Sequence, residues 1–228
     1  MIGALIKAGW DIDNPDHIFV SCGDLLDRGL HPEKCLDFVN NLPKERKILI
    51  RGNHEDLLDK AIKRGFLQCH DYYNGTASTV QLLNHNPNME NAMLKFEHNI
   101  KYKTYKESLR DYYQIQNYIF VHGWVPNTDD KVEQNWESGD WESAREDNGM
   151  LKWQVGAKIK GKTIVCGRWN TSWGHHYIHQ SSPEWNEKST IKANFDPFID
   201  NGIIALDACT AYSGKCNCYR IDIEDNIN

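Results

Sequence analysis

Ile18-Phe19-Val20-Ser21-Cys22-Gly23-Asp24-Leu25-Leu26-Asp27-Arg28-Gly29 is the stretch that decides the fold. Its apolar opening, Ile18-Phe19-Val20, has the length and continuity of a short buried strand. The run then breaks at once into glycines, carboxylates and an arginine. The same arrangement recurs at Ile48-Leu49-Ile50, which leads into Arg51-Gly52-Asn53-His54-Glu55, and at Ile119-Phe120-Val121, which leads into His122-Gly123-Trp124. Residues 32–40 predict a helix with Cys35, Phe38 and Val39 on one face. Residues 55–64 predict a second, with Leu57, Leu58 and Ile62 inward. Strand, helix, strand, helix at this spacing predicts an α/β fold with parallel pairing. Ligands of open α/β sheets bind beyond the carboxyl ends of the strands, so the three polar clusters are expected to converge on one site.

Outward from this core, residues 1–7 predict a helix with Ile2, Leu5 and Ile6 as its apolar positions, and Pro15 punctuates a turn. Residues 163–166 and 203–206 predict further strands, with 218–223 returning as hairpin partner of the latter after a turn at Ser213-Gly214. Residues 65–113 are polar and less regular, and are expected to form a helical cap or insertion. The aromatic-rich stretch 136–153 is expected to be a surface excursion beside the site. The whole chain, 1–228, reads as a single domain.

Composition excludes several classes. Of 228 residues, 40% are hydrophobic and 25% charged, which fits neither a disordered nor a fibrous chain. Lys plus Arg number 26 against 32 Asp plus Glu, a formal charge of -6 that disfavours extended nucleic-acid binding. No apolar run approaches the ~20 residues of a membrane span, and the N-terminus has no signal-peptide pattern. Seven scattered cysteines fit reduced thiols, with the close pair Cys216 and Cys218 read as packed side chains of a terminal strand. A cytoplasmic location is expected.

The chemistry of the clusters is coherent. Asp24, Asn53 and His122 offer a carboxylate, an amide oxygen and an imidazole, a ligand set that suits manganese, iron or zinc better than calcium. Arg28 and Arg51 can grip phosphate oxygens through planar, bidentate geometry. His54 can act as general acid toward a leaving alkoxide, with Asp27 orienting it. A divalent metal would activate water and clamp the phosphoryl oxygens. Together these residues point to metal-assisted phosphoester hydrolysis.

Gly23-Asp24-x-x-Asp27-Arg28-Gly29 followed by Gly52-Asn53-His54-Glu55 resembles the calcineurin-like metallophosphoesterase superfamily. More narrowly it is similar to the serine/threonine phosphoprotein phosphatase branch, including its small bacterial and phage enzymes. The resemblance implies a metallophosphoesterase-type β-sandwich flanked by helices. It implies that Asp24 bridges two metals, that Asn53 and His122 hold the second, and that manganese is the expected ion, with iron or zinc as alternatives. It also implies that Arg145, in Trp141-Glu142-Ser143-Ala144-Arg145, contacts substrate.

Two departures from the family pattern stand out. The family's opening Gly-Asp-x-His-Gly, whose Asp and His hold the first metal, does not occur in this sequence, so the fold is expected to lack its first strand. An incomplete gene model is the simplest expectation. The family's Gly-His after a later strand is replaced by Gly167-Arg168, and arginine cannot coordinate a metal. The expected function is hydrolysis of phosphomonoesters, in small molecules, nucleotides or phosphoproteins. A catalytically impaired phosphate-binding protein, a dinucleoside-polyphosphate or other nucleotide hydrolase, and a nuclease are the alternatives.

Overall fold

The computed structural model of the chain describes residues 1–128, 131–186 and 192–223. The chain divides into two compact units: residues 18–112 form one, and residues 1–17 with 113–228 form the other. The chain begins in the latter with α1 (Ile2–Lys7), where Leu5 is buried while Ile2 and Ile6 stay exposed.

The unit 18–112 is built on β1 (Phe19–Ser21), α2 (Pro32–Asn41), β2 (Lys47–Ile50) and α3 (Asn53–Arg64). β1 and β2 pair in parallel, with Phe19 opposite Lys47 and Ser21 opposite Leu49. That register places the two glycine-carboxylate clusters side by side at one edge of the sheet. Pro32 opens α2 at a position where its missing N–H costs nothing, and Leu36 and Val39 are buried. α3 buries Leu58 and Ala61, with Leu57 and Ile62 at the margin of the core.

The irregular stretch 65–113 folds into α4 (Cys69–Tyr73), α5 (Thr76–Asn84), α6 (Met89–Phe96) and α7 (Ile100–Glu107), then β3 (Leu109–Arg110), which pairs in parallel with β2. These helices supply Val80, Phe96, Tyr102 and Tyr105 to the core of the unit. Their asparagines serve as helix caps: Asn88 accepts the Asn91 amide and Asn99 the Tyr102 amide.

The other unit carries β4 (Tyr113–Ile115), β5 (Tyr118–Phe120), the short pair β6 (Asn127–Thr128) and β7 (Lys131–Val132), α8 (Trp141–Ala144), α9 (Gly149–Gln154), β8 (Thr163–Cys166), α10 (Thr171–Tyr177), β9 (Phe198–Asp200), β10 (Ile203–Ala205) and α11 (Thr210–Ser213). Its main sheet runs β4-β5-β8-β10-β9, with β5, β8 and β10 parallel. Ile119, Val121, Ile164, Val165 and Ile203 are almost fully buried. Two expectations are corrected here. The antiparallel partner of β10 is β9, through the Asn201-Gly202 turn where Gly202 takes φ +92°; residues 218–223 form no strand. Ser213-Gly214 instead ends α11, with Gly214 as its left-handed cap. Residues 136–153 are not a surface excursion, because α8 and α9 bury Trp141, Ala144 and Met150.

Gly75 precedes α5 in a left-handed conformation against the Arg28 backbone. It adopts φ +89°, and a Cβ there would lie 2.6 Å from the Arg28 amide nitrogen. Gly65 has a similar φ of +76° but open space around it. Gly75→Ala should therefore cost more than about 2 kcal/mol, adding a clash to the left-handed penalty, while Gly65→Ala should cost only about 1 kcal/mol. Urea unfolding of the two variants beside the parent measures the difference.

Candidate active site

Glu55 organises the junction of the two clusters in the unit 18–112. It lies at the third position of α3, is 2% exposed, and takes four donors. One carboxylate oxygen accepts the Gly52 amide at 2.8 Å and the Asp24 amide at 2.9 Å. The other accepts the Leu25 amide at 3.1 Å and the Tyr105 hydroxyl at 2.9 Å. Asp24 in turn accepts the His54 amide at 2.9 Å, so it caps α3 from the neighbouring loop. Asn53 is the first residue of α3 and Gly52 its N-cap. The glycine is dictated by crowding, since a Cβ at residue 52 would sit 2.6 Å from the Asp24 amide and 2.8 Å from the Glu55 carboxylate. Asp24 itself holds φ +54°, a conformation that asparagine and aspartate tolerate better than most residues.

Asp27 and His54 meet in this junction, Oδ2 to Nδ1 at 2.8 Å, both nearly buried. Asp27 is fixed by two hydroxyls of α5: Thr76 donates to Oδ2 and Thr79 to Oδ1, each at 2.7 Å. With Nδ1 bound to the carboxylate, Nε2 is the ring nitrogen directed to exchange a proton. Burial alone would lower the His54 pKa. The Asp27 hydrogen bond and the charges of Asp24 and Asp27 outweigh it, and the ring titrates above its ordinary value of 6.5.

The arginines of the two motifs differ. Arg28 holds φ +64° and reaches Asn74 Oδ1 at 3.4 Å. Beside it opens a groove of about 450 Å³ whose walls include Leu30, Leu82, Pro87 and His85. Arg51 is already engaged by α3, through Nε to Asp56 at 2.7 Å and Nη2 to Asp59. Burial opposes its charge, but its hydrogen bonds to Asp59 and Asp56 hold its pKa above the ordinary value.

The remaining predicted residues belong to the other unit. His122 follows β5 and is 1% exposed; its carbonyl accepts the Gly167 and Arg168 amides at 2.8 and 2.9 Å. Arg145 is the C-cap of α8 and is buried. Arg168 ion-pairs with Glu146 at 2.8 Å. The nearby histidines are taken up in packing and in contacts to backbone and side chain: His175 meets the Asp196 carbonyl at 3.1 Å, His176 the Ser182 carbonyl at 2.9 Å, and His179 stacks on Phe198 and lies 3.2 Å from Asp200.

The structure thus gathers Asp24, Asp27, Asn53 and His54 in one unit, and places His122 and Arg145 in the other. Sequence reasoning missed Thr76, Thr79 and Tyr105. The Thr76-x-x-Thr79 spacing, one helical turn, was a usable signal; Tyr105 left none. As metal donors, the Asp24 carboxylate and Asn53 amide are hard oxygens that fit one divalent ion completed by water. Glu55 is committed to its four donors. Among the described residues no group of three or more His, Cys, Asp and Glu is arranged to hold a metal, and Arg168 cannot be a ligand. Among the described residues, the chemistry of this donor pair suits one divalent ion.

The family model named calcineurin-like phosphoesterase matches residues 2–199. The crystal structure of a presumed diadenosine tetraphosphatase aligns with a TM-score of 0.50 and 13% identity, over 92% of this chain and 78% of that one, which is a likeness of fold. No curated protein matches the sequence. Among the described residues no helix is long and apolar enough to cross a membrane.

Two outcomes are expected from the junction. Glu55→Ala, which strands three amides and a hydroxyl, should destabilise the protein by more than about 3 kcal/mol in urea unfolding, and Glu55→Gln by less because one acceptor oxygen remains. The His54 ring resonance should titrate above 6.5 in metal-free protein and move down in Asp27→Asn. Because the folded-state pKa is raised, the protonated ring stabilises the fold fully below the unfolded value and loses that contribution as pH rises through the folded value.

Proposed function

The chain belongs to the calcineurin-like phosphoesterase family, and from that premise we propose that it is a metal-dependent phosphomonoesterase. The family hydrolyses phosphoesters with divalent metals. The buried Asp27–His54 pair, fixed by Thr76 and Thr79, carries the finer reading. A carboxylate on Nδ1 keeps the ring oriented and its charged form accessible, which is what a general acid toward a leaving-group oxygen requires. Asp24, Asn53 and His122 are the proposed ligands, and manganese the proposed ion. When bound, the ion supplies Lewis acidity toward water and phosphoryl oxygens.

This chain's own residues do the rest. His54 Nε2 delivers the proton to the departing oxygen. Asp27 holds the imidazolium against its buried surroundings. Arg28 takes a phosphate oxygen, with the adjoining groove accepting part of the esterified group. Arg145 is the proposed second phosphate contact. Arg51 serves the fold, since its guanidinium is shared by Asp56 and Asp59.

A second reading has its own support. The donor pair suits one divalent ion, and Arg168 stands where the family has a metal ligand, so phosphate binding without turnover is the competing function. The name of the structural relative, a diadenosine tetraphosphatase, keeps nucleotide phosphates among the substrates to be tried.

Hydrolysis of p-nitrophenyl phosphate by this chain should depend on added manganese. His54→Ala should lower kcat by about 10²–10⁴-fold with little change in KM. No turnover from folded protein at saturating manganese, with inorganic phosphate still bound, would establish the second reading instead.

A further inference from the structure

Two sides of α5 are in use. Thr76 and Thr79 fix Asp27, while Ser78, Gln81 and Leu82 line the groove beside Arg28. The helix ends at Asn84, where His85 takes φ +50° and turns the chain back. The returning segment is tied down: the Asn86 amide donates to the Gln81 carbonyl at 3.2 Å, and Gln81 Nε2 donates to the Pro87 carbonyl at 3.1 Å. Leu30 supplies a further wall from the loop that carries Arg28. Arg28 directly follows Asp27, and its backbone is pressed against Gly75, where a Cβ would lie 2.6 Å from the Arg28 amide nitrogen. The groove therefore includes the proposed phosphate contact, and it is built on the helix that holds the partner of the proposed acid.

The lining restricts what fits. Leu30 is 81% exposed and Leu82 40%, so the apolar wall lies open to water. Sites for small molecules enclose most of the ligand's surface. Walls this exposed suit an extended chain that crosses them, with a side chain seated in the groove. Among the described residues, none that lines the groove is a carboxylate, and none is Phe, Tyr or Trp. A cationic side chain finds no anion on these walls and meets Arg28. A nucleobase finds no aromatic platform to stack on, and the His85 ring is paired with Glu33 at 3.2 Å. An aliphatic side chain, by contrast, can shed water against Leu30, Leu82 and Pro87.

We propose that this groove selects phosphorylated peptide segments by the residue beside the phosphorylated one. With the phosphate on Arg28, it takes an aliphatic neighbour and rejects a basic one, and Leu30 and Leu82 determine the choice. This deepens the phosphoester reading above and rests on the phosphate contact given there to Arg28.

Three fluorescent phosphoserine heptapeptides, identical except for leucine, glycine or lysine on both sides of the phosphoserine, test this by anisotropy with the metal-free protein. The leucine peptide should bind about tenfold tighter than the glycine peptide, and the lysine peptide about threefold weaker than the glycine one. In Leu30→Ser and in Leu82→Ser the ratio of leucine to glycine affinity should fall toward one. The ratio is read within each variant, so a change in overall phosphate affinity does not enter it, and Leu30→Ser alters a side chain too exposed to matter to the fold. Parent protein that binds no phosphopeptide overturns the proposal. So does a parent without a leucine preference, a preference that survives in both variants, or equal binding of the unphosphorylated leucine peptide. Adenosine 5′-monophosphate bound more tightly than the leucine peptide, and weakened by Leu30→Ser, would assign the groove to a base instead. Turnover of p-nitrophenyl phosphate with manganese separates the two levels. If the leucine preference follows Leu30 and Leu82 while the parent shows no turnover, the hydrolytic reading falls and this one stands. If the parent turns over but has no leucine preference, this one falls and the hydrolytic reading stands.

Discussion

The carboxylate of Glu55 sits at the start of α3 and gathers the amides of Gly52, Asp24 and Leu25 with the hydroxyl of Tyr105. A buried anion is tolerated there because it has hydrogen-bond donors on both oxygens and the positive end of a helix beneath it. The loop after β1 can take its left-handed turn at Gly23 and Asp24 because these amides point inward to a common acceptor. Both glycine-carboxylate motifs depend on this contact, and the cap that Asp24 places on α3 follows from it.

Placing His54 was the next requirement. Its backbone is fixed by Asp24 and its ring by Asp27, so main chain and side chain are held by two carboxylates of one loop. Asp27 would be a costly group to bury if it answered to the histidine alone. Thr76 and Thr79 complete its hydrogen bonding and remove its freedom to rotate. The helix that seems least informative in the sequence thus sets the orientation of the proposed acid.

The other unit shows a different solution to charge. Arg168 has its amide on the His122 carbonyl and its guanidinium paired with the exposed carboxylate of Glu146. Arg51 is the contrast: two carboxylates of α3 absorb its charge, and it braces the helix. The same residue type at two strand ends therefore has opposite availability. Neither could be assigned from the motif that contains it, because the difference lies in acceptors several residues away or on another element.

The strands were legible because an unbroken apolar run of three or four residues that breaks into polar residues and glycine has few other solutions: β8 spans the run read at 163–166, and β1, β2, β5 and β10 begin or end within a residue of theirs. Order and spacing also carried the parallel pairing and the family, since Gly-Asp-x-x-Asp-Arg-Gly and Gly-Asn-His-Glu encode local turns that few other residues could make. Residues 65–113 were opaque because capping asparagines look like loop, and short helices lack the length for a clear period. The partner of β10 was misplaced because two Gly-containing turns competed, and local sequence does not say which one brings strands together. The sequence by itself determined the turns, the strand ends and the residue types offered at them. Only the tertiary structure decided which of those charges are already neutralised, because an acceptor can come from any element that packing brings within hydrogen-bond reach.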